Sequence, residues 1–105
     1  MIVKLRLLLE YHCYPVWLYD EDGDVVDTLL PEELRTDLAL DKKFDDIQDR
    51  YDALFIDTPK EFAYVGFKNE EDKSKFIVDL QETIDELICK CNGRYLIQND
   101  IKFDF

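Results

Sequence analysis

The chain has 105 residues, 47% hydrophobic and 36% charged, with 25 Asp and Glu against 13 Lys and Arg for a net charge of −12. That length suits one domain over residues 1–105, and Trp17, six Tyr and seven Phe supply enough apolar bulk to form a core. The charge excludes nucleic acid and anionic membranes as partners, because both are bound by neutralising phosphate with Lys and Arg.

In Met1-Ile2-Val3-Lys4-Leu5-Arg6-Leu7-Leu8-Leu9-Glu10, Lys4 and Arg6 interrupt the apolar run and no small-residue cleavage site follows, so the segment does not read as a signal peptide. No apolar stretch approaches the roughly 18 residues of a membrane span. A soluble, cytoplasmic protein is expected. Val3, Leu5, Leu7, Leu9 and Tyr11 instead alternate with Lys4, Arg6 and Glu10, the period of a half-buried strand.

After Pro15, Val16-Trp17-Leu18-Tyr19 and Val25-Val26-Asp27-Thr28-Leu29 flank Asp20-Glu21-Asp22-Gly23-Asp24. The Asp-Gly pair predicts a hairpin of type I′, in which Gly23 takes the positive φ. Asp20, Asp22 and Asp24 fall at alternate positions, as in a calcium loop, but Gly23 is fourth rather than sixth and the twelfth residue is Pro31 rather than Glu. A solvated turn is the better account.

Pro31-Glu32-Glu33 predicts a short helical opening with Pro at the first helical position, running to about Leu40. A stronger helix is expected from near Asp41, its apolar stripe formed by Phe44, Ile47, Tyr51, Leu54 and Phe55, until Thr58-Pro59 stops it. Phe62-Ala63-Tyr64-Val65-Gly66-Phe67 predicts a strand, with Gly66 marking a bulge or a close approach of backbone. Asn69 then caps a long helix with Glu70, Glu71 and Asp72 in its first turn, Phe76, Ile77, Leu80, Ile84, Leu87, Ile88 and Cys91 on its apolar face, and Asn92-Gly93 as a left-handed exit. Tyr95-Leu96-Ile97 and Ile101-Lys102-Phe103 are strand candidates. The order β-β-β-α-β-α-β predicts an α+β two-layer sandwich, a mostly antiparallel sheet with two main helices on one face.

Cys13, Cys89 and Cys91 are odd in number, which favours free thiols. His12-Cys13 and Cys89-x-Cys91 could together supply four zinc ligands, but structural zinc sites space paired cysteines two to four residues apart, so packing is the expected role and no metal or other cofactor is implied. One His, three Gly and no phosphate loop or nucleophile–base arrangement give no catalytic residues to name, and an enzyme is not expected.

The acidity is concentrated. Between Glu10 and Thr58 there are 15 carboxylates against 4 cations (Arg35, Lys42, Lys43 and Arg50), a charge of −11 that leaves −1 for the remainder. At about 100° per residue, Asp41, Asp45, Asp49 and Asp52 fall within roughly 80° of one another on a helix. Like charges at that spacing cost about 0.2–0.5 kcal/mol per pair, so the stripe suggests a basic partner, although an acidic surface also serves solubility alone.

The stretches Tyr14-Pro15-Val16-Trp17-Leu18-Tyr19-Asp20-Glu21-Asp22-Gly23, Leu30-Pro31-Glu32-Glu33-Leu34 and Tyr64-Val65-Gly66-Phe67-Lys68-Asn69-Glu70-Glu71 resemble small bacterial proteins encoded beside secreted polymorphic toxins. Those proteins are similar to the immunity proteins of contact-dependent inhibition systems. The resemblance implies a cytoplasmic protein that binds and blocks the toxin domain of its own cell, and it carries over no binding residue. The charge then suggests a basic toxin domain, a nuclease above all, met by Asp20, Asp22, Asp24, Asp41, Asp45, Asp49 and Asp52 with Trp17, Tyr19 or Tyr51 as aromatic anchors. Two alternatives stand beside it: a nucleic-acid mimic that inhibits a defence nuclease, and an acidic interaction domain with no toxin partner.

Overall fold

The computed structural model describes all 105 residues, Met1–Phe105. β1 (Ile2–Leu7) turns Leu5 and Leu7 inward and Lys4 and Arg6 outward. It pairs antiparallel with β2 (Val16–Asp20), which pairs antiparallel with β3 (Val25–Thr28). The alternation in the sequence continues to Tyr11, but β1 ends at Leu7 because the chain folds back: Leu8 N–H donates to the Pro15 carbonyl at 3.2 Å, and Cys13 N–H closes a turn on the Glu10 carbonyl at 3.1 Å. His12 lies inside that turn with φ of 56°.

The β2–β3 hairpin forms as predicted but not with a type I′ turn, which needs positive φ at both central residues. Only Gly23 is positive, at 84°. Its N–H donates to the Asp20 carbonyl, and Asp20 N–H donates to the Asp24 carbonyl, both at 3.1 Å, so the loop holds three residues, Glu21-Asp22-Gly23. The Asp20 carboxylate accepts from Asp22 and Asp24 N–H at 3.0 Å each and shapes the turn.

Pro31 precedes a single 3₁₀ turn, Glu32–Leu34, rather than opening an α-helix. Helix α1 (Leu38–Asp52) starts earlier than Asp41, because the Asp37 carboxylate caps it by accepting from Leu40 N–H at 3.1 Å. It also ends earlier than Thr58. Phe55–Thr58 is a strand, β4, which turns through Pro59-Lys60 and pairs antiparallel with β5 (Glu61–Tyr64) as a separate two-stranded sheet. Thr58 Oγ1 accepts from Glu61 N–H at 3.1 Å and ties this turn. Beyond β5, Val65 and Gly66 N–H both donate to the Leu54 carbonyl, at 2.7 and 3.2 Å, the bulge-like pairing that Gly66 signalled.

Helix α2 (Glu70–Cys91) has the predicted ends: the Asn69 side chain accepts from Asp72 N–H, and Asn92 is left-handed. β6 (Leu96–Asn99) then adds to the far side of β1 in parallel, giving the order β3-β2-β1-β6, while residues 101–105 form no strand. Leu5, Leu7, Val16 and Leu18 from one face of this sheet meet Leu40, Phe44 and Ile47 of α1 and Phe76, Leu80, Ile84 and Leu87 of α2 in a single core. Each fully buried side chain of this size contributes about 1.5–3 kcal/mol. The α+β two-layer sandwich is as expected, with β4–β5 standing outside its main sheet.

Candidate functional site

Packing of α1 on α2 decides which charges of α1 remain free. Arg50 bridges Asp46 at 3.1 Å and Asp79 of α2 at 2.9 Å, and Lys43 pairs with Glu86 of α2. Lys42 lines the groove between the helices with Lys43, Asp46 and Glu82. The cations of α1 are thus gathered on its α2 side. Asp41, Asp45 and Asp49 lie along the helix with no ion-pair partner, flanked by the loop of residues 8–15. Burial first, then the charges of Asp41 and Asp49, push the Asp45 carboxyl up from its ordinary value, and no cation offsets them.

The two ends of the stripe are tied to that loop. Tyr14 donates its hydroxyl to Asp41 at 2.9 Å, and burial followed by this bond drives the phenol far above its ordinary pKa. Asp52 accepts from His12 N–H at 2.9 Å and from Gln48 Nε2 at 2.8 Å. Gln48 Nε2 also donates to the Glu10 carbonyl at 2.8 Å. Asp52 therefore holds the loop in place, while Asp45 and Asp49 stand in solvent.

The remaining predicted contacts lie elsewhere. Trp17 and Tyr19 sit on the sheet face opposite the helices, as the cross-strand partners of Arg6 and Lys4. Tyr19 is buried there under Lys4 Nζ, 4.5 Å from its ring centre, and its hydroxyl accepts from Arg6 at 3.3 Å. Asp20, Asp22 and Asp24 form the β2–β3 turn, at the other end of β2 from the loop that meets Asp41 and Asp52. Tyr51 is half-buried, edge-on to Phe55 with ring centres 5.3 Å apart. Folding so divides the predicted residues into those on α1, Tyr51 among them, those of the β2–β3 turn, and a sheet face away from the helices where Tyr19 is buried and Trp17 half-buried.

An aromatic cluster beside the stripe was missed by the sequence reading. Tyr11 contacts Phe55 and Phe62 edge-on, each with ring centres 5.0 Å apart, stacks on His12 at 3.9 Å, and donates its hydroxyl to Asp57 at 3.2 Å. The signal was the pair of short runs rich in aromatic and β-branched residues, Phe55-Ile56-Asp57-Thr58 and Glu61-Phe62-Ala63-Tyr64, on either side of Pro59-Lys60.

Cys91 belongs to the core and its thiol is pushed up by burial, Cys89 is exposed, and Cys13 is half-buried in the loop beside α1. No helix is long and apolar enough to cross a membrane. No curated protein matches the chain. Residues 3–98 match the family model described as Serratia CdiI immunity protein-like, and the chain belongs to that family.

Proposed function

We propose that this member of the CdiI immunity protein-like family acts in the cytoplasm by binding a cognate toxin domain, and that the acidic stripe of α1 covers a basic, substrate-binding cleft of that domain, as in a nuclease. The observation that carries the reading is the sorting of charge on α1: Lys43 and Arg50 are paired with α2 while Asp41, Asp45 and Asp49 are left unpaired. A nuclease cleft is positive because it holds phosphates, so unpaired carboxylates in a row give fast, steered association and favour the right partner over neutral ones. The acids of the β2–β3 turn lie at the other end of β2 from the loop beside the stripe, which makes them the weaker contributors to the same attraction.

The test uses the toxin domain encoded beside this chain, inactivated by mutation, and follows association by surface plasmon resonance across salt concentrations. Asp45→Lys with Asp49→Lys is expected to lower the association rate at least about tenfold at low salt and to flatten its salt dependence. Asp22→Lys with Asp24→Lys should lower it less, by about threefold or below, because screening weakens charges that lie outside the contact. Equal rates for wild type and the Asp45/Asp49 variant take the stripe out of the interface.

A further inference from the structure

The β4–β5 hairpin is small for an independent element, since two strands alone are marginal in water. One of its faces carries Phe55, Asp57, Phe62 and Tyr64, the cross-strand pairs Phe55 with Tyr64 and Asp57 with Phe62. Phe55 stacks on Phe62 with ring centres 5.4 Å apart and meets Tyr64 edge-on at 5.3 Å. Yet Phe62 is 58% exposed and Tyr64 47% exposed, although aromatic side chains of this size dominate the energy of any interface they enter. Tyr11 packs on the same face, against Phe55, Phe62 and Asp57, and steadies the cluster from a turn in which His12 holds a left-handed φ of 56°, a conformation that costs a residue other than glycine about 1 kcal/mol and that Asp52 maintains by accepting its N–H.

The rim is acidic. Asp52 and Asp57 bond directly to the Tyr11-His12 turn, Glu61 starts β5, and Lys60 is the one Lys or Arg between Asp52 and Tyr64. A rigid aromatic patch with carboxylates around it and few cations is complementary to an apolar hollow edged by Arg or Lys, whose charges gain from both the carboxylates and the ring faces. The same rim opposes a second copy of this chain, which would bring like charges together.

We propose that the exposed aromatic face of the β4–β5 hairpin, centred on Phe62 and Tyr64, is the anchor of the interface with a basic partner domain, and that α1 supplies its charged flank. This rests on the immunity reading above, with the partner being the toxin domain named there. The stripe then sets how fast the partner arrives and the hairpin sets how long it stays, because losing a central aromatic contact acts mainly on dissociation.

Surface plasmon resonance of the inactivated neighbouring toxin domain with wild type, Phe62→Ala and Tyr64→Ala, which reads association and dissociation rates separately, distinguishes the outcomes. Each substitution is expected to weaken binding at least about 30-fold through faster dissociation. Phe62 is 58% and Tyr64 47% exposed, so the fold should persist, and unchanged circular dichroism checks this. Amide exchange in wild type gives a second readout that needs no variant: residues 55–64 should gain protection in the complex. Full-strength binding by both variants, or no added protection of the hairpin, overturns the hairpin anchor and leaves the immunity reading intact. Failure of wild type to bind that domain overturns both, and a dimer of the free chain that Phe62→Ala dissolves assigns the face to self-association instead.

Discussion

Gln48 joins two segments that chain order keeps apart. Its amide donates to the Glu10 carbonyl and the Asp52 carboxylate, 2.8 Å each, from a side chain only 8% exposed, and so pins the turn carrying Tyr11 and His12 to α1. Its Oε1 is buried without a partner, which makes the residue a stabilising donor and a costly acceptor together. Gln48→Ala leaves the Glu10 carbonyl and Asp52 short of a donor and should cost about 1–3 kcal/mol in urea denaturation. Amide exchange at His12, whose N–H rests on Asp52, should accelerate in the same variant. Because the aromatic cluster leans on Tyr11, toxin binding should weaken as well, although Gln48 is itself too buried to touch a partner. Unchanged stability would mean that the loop is held by Tyr14 and the core alone.

Helix α2 shows why some elements are readable from sequence. Its N-cap, the Asn69 Oδ1 accepting from Asp72 N–H at 2.8 Å, lies within four residues, and so does its exit at Asn92 with φ of 50°. Asn69→Ala should therefore cost about 1 kcal/mol, seen as a fall of about 4–8 °C in the melting temperature of a domain this small. The end of α1 is a different case. Phe55 follows Tyr51 by four residues and so fits the helical stripe, but it also begins a short β-favouring run that leads into Pro59-Lys60. What decides between them is distant: β5 supplies the pairing, and Tyr11, 44 positions before Phe55, supplies an aromatic contact at 5.0 Å. Periodicity within a window cannot weigh such contacts. The acidic stripe was legible for the reason that α2 was, since Asp41, Asp45 and Asp49 lie on one face by spacing alone. That Lys43 and Arg50 leave them uncompensated was not legible, because it depends on where Glu86 and Asp79 of α2 come to rest. The exposed aromatic hairpin escaped for the same physical reason as its strand.

Across the whole molecule, carboxylates titrate in two opposite senses. The Tyr95 hydroxyl on Glu33, Lys90 on Asp37, Lys75 with Arg50 on Asp79, Lys43 with Lys90 on Glu86, and Arg6 on Asp100 hold these five acids below their ordinary values. A carboxylate with a lowered folded pKa stabilises above its unfolded value, about 4, and loses that contribution as pH falls through the folded value. Asp45 is raised instead, so its ionised form penalises the fold and the penalty is relieved as pH falls through its folded value. Stability should consequently rise slightly as pH falls through the folded Asp45 value and then drop once pH passes below about 4, where the five lowered carboxylates lose their contribution. Urea midpoints measured from pH 7 to 3 check this, and a midpoint that declines steadily from pH 7 sinks it. Asp45→Asn should be more stable than wild type at pH 7, with the gap narrowing as pH falls through the folded Asp45 value to the unfolded one, about 4, and with the part due to Asp41 and Asp49 shrinking in about 0.5 M salt. The same variant should bind the toxin domain more slowly. A helix that keeps Asp45 between Asp41 and Asp49 at a cost to its own stability fits the association proposed above better than solubility alone, since a solubilising surface could have placed the same charges apart.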